Sequence, residues 1–89
     1  MRAIVTVVGK DKVGIIAGIC TALAQRAVNV LDISQTILQD MFTMSMLVDV
    51  TDAVCSFAEL AEAMEREGTR LGVHVRIQRE ELFDAMHRI

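Results

Sequence analysis

Two spacings of apolar residues alternate along the chain, and each change of spacing predicts a change of element. Arg2 to Val8 is apolar and β-branched with little alternation, the pattern of a central strand packed on both faces. From Ile16 the period lengthens. Apolar or small residues recur at Ile16, Ile19, Cys20, Leu23, Ala24 and Ala27, gaps that put them on one face of a helix. The polar turn Gly9-Lys10-Asp11-Lys12 precedes it, and Asp11 is the expected N-cap. Gly14 then falls in the first helical turn, where glycine costs ~1 kcal/mol relative to alanine. A close backbone contact, with a neighbour or a ligand, would account for it. A strand follows from Val28 to about Leu38, and Gln39-Asp40-Met41 makes a short turn without the usual glycine. Phe42, Met44, Met46, Val48 and Val50 then share one face at a period of two. Ser56-Phe57-Ala58-Glu59 is a capping box, opening a helix that buries Phe57, Leu60, Ala61, Met64 and Leu71 and stops at Gly72. Val73, Val75 and Ile77 alternate with His74, Arg76 and Gln78 as a last strand. Glu80 to Ile89 reads as a short terminal helix with Leu82, Phe83, Met86 and Ile89 as its apolar side.

The order is βαββαβ, two βαβ halves over roughly residues 2–38 and 42–79. Right-handed crossovers put both helices on one face of the sheet. The fold class is therefore α+β and ferredoxin-like, an antiparallel sheet in the order 4-1-3-2. Ile16, Ile19, Leu23, Leu60, Met64, Val5, Val48 and Val75 are the expected core. Residues 1–79 form the domain, and 80–89 a tail that packs on it or on a second subunit. The second strand is an edge, largely apolar from Val28 to Ile33 and without proline. Such an edge invites another chain, so the expectation is a homodimer paired there, helped by the exposed side of the first helix.

Composition sharpens this picture at a few points. At 89 residues there is room for one domain, and 53% hydrophobic residues is high for one this small. A partner that buries apolar surface would explain the excess. A net charge of −3 with no basic block argues against nucleic acid. No apolar run is long enough to span a membrane. The N-terminus reads as a strand rather than a signal peptide, and two cysteines are too few for a disulfide scaffold. Reduced thiols in a cytoplasm are the expectation.

Little catalytic chemistry is visible. His74 and His87 have no companions at metal-ligand spacing, so no metal site is expected. Cys20 lies on an apolar helix stripe and Cys55 beside a capping box, both packing positions. The carboxylates do not pair. Base-stacking aromatics are missing from the central strands, apart from Phe42. No cofactor and no catalytic residue is expected. What remains is the loop Gly9–Asp11 with the helix start Lys12–Ile15, where free amides favour an anion such as a carboxylate. Asp11 would cap the helix or take a ligand ammonium.

The runs G-K-D-K-V-G-I-I-A and N-V-L-D-I-S-Q resemble those of an ACT domain, a small regulatory module that commonly binds amino acids. The resemblance covers residues 2–79. It is nearest to the stand-alone ACT proteins and to the ACT domains of the glycine cleavage repressor and formyltetrahydrofolate deformylase. It implies a ligand site at a dimer interface formed by Asp11, Gly14, Ile15, Asn29, Val30 and Leu31. Two positions depart from the family pattern. Gly9 stands where some members carry a polar side chain, and Asp11 replaces a frequent asparagine. The resemblance implies a module responsive to an amino acid or similar metabolite. Its rival is a ligand-free module that dimerises and docks on a metabolic enzyme or regulator.

Overall fold

The structure, a computed structural model, describes residues 1–81. Four strands and two helices follow in the order β1 (Arg2–Lys10), α1 (Ile15–Gln25), β2 (Asn29–Leu38), β3 (Met41–Asp49), α2 (Phe57–Leu71) and β4 (His74–Arg79). The sheet is antiparallel in the order β2-β3-β1-β4, the expected order counted from its other edge. The terminal helix expected over 80–89 lies outside the described residues beyond Glu81.

Register decides where the core sits. Ala3, Val5 and Val7 pair with Val48, Met46 and Met44 on one side, and with Val75 and Ile77 on the other. These residues share the face on which both helices pack, through Ile15, Ile19, Ala22 and Leu23 of α1 and Leu60, Ala63 and Met64 of α2. β1 therefore alternates after all. It is sealed on one face only, and Ile4, Thr6 and Val8 look out from the other, with Val8 exposed. A run of β-branched residues conceals this, because Ile4 and Val8 stand at outward positions where polar residues are usual. Val75, expected in the core, is half-buried against it.

The expected face of α1 is wrong by one residue at its start. Ile15 is buried at 2% exposure and Ile16 is 38% exposed. The helix begins at Ile15, with Gly14 as its N-cap at φ 93° and no side-chain cap. Gly14 thus precedes the helix, in a left-handed conformation that a Cβ would strain. Asp11 caps nothing. Its amide donates to the Asp40 carbonyl at 2.8 Å, which extends the β1–β3 ladder past Lys10. At the far end the helix stops at Gln25, and Ala24 and Ala27 are exposed rather than buried.

α2 follows its sequence signals closely. The Ser56 hydroxyl accepts from the Glu59 amide at 3.1 Å and the Glu59 carboxylate from the Ser56 amide at 3.0 Å. Gly72 ends the helix at φ 75°. Over β4 the helix comes so close at Gly68 that a Cβ there would meet the Val73 carbonyl at 2.8 Å.

Candidate functional site

The six residues implicated by resemblance separate into two groups. Asp11, Gly14 and Ile15 lie where β1 runs out toward α1, beside the β2–β3 hairpin, since Lys10 pairs with Met41 and Met41 with Leu38. Asn29, Val30 and Leu31 open β2 at the other end of the sheet, where Asn29 pairs with Asp49 and Asp49 with Arg2. Counted along β1 from Arg2 to Lys10, the two groups stand roughly 26 Å apart at ~3.3 Å per residue. One chain does not bring them together.

Each group has a definite character. At the first, Asp11 and Gly14 are exposed, and nothing lies within 4 Å of the point a Gly14 Cβ would occupy. The Ile15 side chain is in the core, so only its backbone faces outward. The first amides of a helix have no partner within it, and no side chain caps this one. They offer a small cluster of donors with the positive end of the helix dipole behind them. At the second group, Asn29 is exposed and Val30 half-buried. Leu31 is the extra residue of a β-bulge between Val30 and Asp32, and is 45% exposed.

Between the groups runs the rest of β2, exposed along its length apart from Val30. Below the bulge, Ile33 pairs with Met46 and Ile37 with Phe42, so both belong to the helix-bearing face. Yet they are 41% and 51% exposed. The Ile33 amide donates to the Asp32 carboxylate at 2.9 Å.

Other candidates fall away. His74 is exposed, as its position in the last strand implies, and His87 lies outside the described residues. Cys20 and Cys55 are free and half-buried against the core. Phe42, Met44 and Met46 are core residues. Among the described residues, no group of acidic, cysteine or histidine side chains converges to hold a metal, and no helix is long and apolar enough to cross a membrane. Sequence reasoning missed the exposed Ile33 and Ile37, whose signal was their phase after the bulge.

Comparison with known proteins agrees with this architecture. A UPF0237 protein of Clostridium acetobutylicum is 51% identical over 89 residues, all of both chains. A solved ACT domain protein from Streptococcus pneumoniae is 44% identical, superposes with a TM-score of 0.82 and covers 98% of each chain. Two more distant structures share the fold. A formyltetrahydrofolate deformylase from Pseudomonas syringae matches at 20% identity and a TM-score of 0.79, over 88% of this chain and 27% of its own. A protein assigned as a glycine cleavage system transcriptional repressor matches at 19% and 0.75, over 88% of this chain and 44% of its own. The family model described as ACT domain matches residues 2–78, the whole span from the first strand to the last, and the chain belongs to the ACT domain family.

Proposed function

We propose that this chain is a regulatory module that binds an amino acid, or a related small carboxylate metabolite, at sites shared between two copies of itself. The observation that carries the reading is the separation of the two groups along β2. If two β2 strands pair antiparallel about a two-fold axis near Ile33 and Ser34, Asn29 of one copy falls opposite Leu38 of the other. Leu38 adjoins the hairpin beside Asp11. The pairing thus brings Asn29, Val30 and Leu31 of one copy to Asp11, Gly14 and Ile15 of the other, twice per dimer. The uncapped amides of α1 suit a carboxylate, Asp11 an ammonium, and Asn29 a group that both donates and accepts. The open space over Gly14 lets the ligand touch backbone.

Such a site couples ligand to assembly, and each strengthens the other. Sedimentation at micromolar concentration should give a dimer, and a 9.8 kDa species alone would remove the reading. A panel of free amino acids should contain one that raises the melting temperature. At ~100 times its dissociation constant it would add ~2.7 kcal/mol, and for a domain this size each kcal/mol is worth about 4–8 °C. Asp11→Ala should abolish that shift and leave the unliganded melting temperature unchanged, because Asp11 caps no helix. A dimer with no shift and no calorimetric heat across the panel would favour the ligand-free module that docks on an enzyme or regulator.

A further inference from the structure

We propose that the shared site selects an amino acid with an aliphatic side chain, and that Ile37 of one copy and Val30 of the other form the floor on which that side chain rests. This deepens the reading above and rests on it. Strand register and the exposure of three isoleucines carry it.

Parity sorts β2 into two faces. Val30, Ile33, Gln35 and Ile37 pair with the core residues Val48, Met46, Met44 and Phe42, so all four stand on the helix-bearing face. Asp32, the one charge of β2, pairs with Leu47, which pairs with Ile4, so it stands on the open face. Beside α1 the strand therefore offers no charge. α1 adds to the same apolar strip. Gly18 turns toward α2, where a Cβ would meet Leu71 at 3.0 Å. Ile16 is two residues away, about half a turn round the helix. Since α2 packs over β4, Ile16 looks out from the opposite flank, on the β2 side. Ile16, Ile33 and Ile37 are all exposed.

The charges at this end of the sheet are placed elsewhere. Lys10 pairs with Met41 and Met41 with Leu38, all on the open face. The Lys12 ammonium stands against Gly72, at the C-cap of α2, where the negative end of that helix dipole favours it. Asp40 lies in the turn beyond Leu38. Asp11 is left, and its proposed part is to hold the ligand ammonium.

When two β2 strands pair about Ile33 and Ser34, Val30 of one copy falls opposite Ile37 of the other. Residues directly opposite share a face, so both look toward the helices, at the start of the second copy's α1. A ligand whose carboxylate meets the α1 amides lays its side chain over this pair, with Ile16 at the wall. A charged side chain there would lose water and find no partner. An aliphatic one would bury the isoleucine surface together with its own.

Calorimetric titration of the full chain with glycine, L-valine, L-leucine, L-methionine, L-serine, L-aspartate and L-lysine tests this. Valine, leucine or methionine should bind tightest and exceed glycine by ~tenfold or more, the ordinary worth of methylenes in an apolar pocket. In Ile37→Asn that ratio should collapse toward one. The ratio is the readout because a weakened dimer lowers both affinities together. Ile16→Asn, outside the paired strand, should lower the ratio in the same direction. Tightest binding by serine, aspartate or lysine would overturn the inference and leave the shared site standing. So would a ratio that neither variant changes. No binding across the whole panel would remove the shared site, and this inference with it. A measurement on the unaltered chain stands beside these. Nuclear Overhauser contacts should join the methyl protons of bound leucine to those of Ile37, and their absence from the saturated protein would overturn the floor whatever the variants do.

Discussion

At the scale of single residues, the chain is most legible where both members of a local interaction stand in the sequence. Ser56 and Glu59 announce a capping box, and the box forms. Asp11 announces a cap and forms none, because its amide is drawn into the β1–β3 ladder by Asp40, a residue distant in sequence. That pairing delays the helix to Ile15 and shifts its buried stripe. The consequence is measurable. Leu23 is fully buried, so Leu23→Ala should cost about 2–5 kcal/mol. Ile16, which the periodicity put in the core, is 38% exposed, and Ile16→Ala should cost under ~1 kcal/mol. Urea melts of the two variants check the assignment, and equal losses would restore the shifted face.

At the ends of β3 and α2, two carboxylates accept local hydrogen bonds that stabilise their charged form. The Thr51 hydroxyl and amide donate to Asp49 at 2.5 and 2.9 Å, with the N-terminal ammonium at 3.8 Å, and these lower the Asp49 pKa. The Ser56 amide and hydroxyl lower that of Glu59. Both groups titrate below their unfolded values, so the stability they give is complete above roughly pH 4–5 and is lost as pH falls through the lower folded values. Melting temperature followed from pH 7 to pH 2 should therefore fall less steeply on the acid side in Thr51→Ala and in Ser56→Ala than in the parent. Among whole elements, α2 and β3 could be read directly from sequence, since their periods and caps are local. β1 and β2 were legible as strands, but not the faces they turn to the core. Which face of β1 lies open depends on a helix layer that covers one side of the sheet. The phase of Ile33 and Ile37 depends on a bulge at Leu31 that no turn residue marks. The six candidate residues came from the family resemblance alone, and their division between two ends of the sheet appeared only with the strand register.

For the whole molecule, what counts is that the two borders of the sheet are unlike. β2 offers ten residues with Asp32 as its one charge. β4 offers six, with Arg76 exposed on the open face and Arg79 stacked over the Phe57 ring, 5.3 Å from its centroid, on the helix side. Cationic side chains on both faces of a short strand discourage pairing. In the language of polymer chemistry the proposed dimer would make the subunit monofunctional, with one reactive end and one blocked end. A β2–β2 contact would consume the reactive end of each copy and leave only blocked ends outward, so growth would terminate at two. Replacing both arginines, as in Arg76→Val with Arg79→Val, would make the subunit bifunctional. The sedimentation profile should then spread with concentration from dimers to longer chains, the behaviour of a step-growth polymer whose end-stopper has been removed.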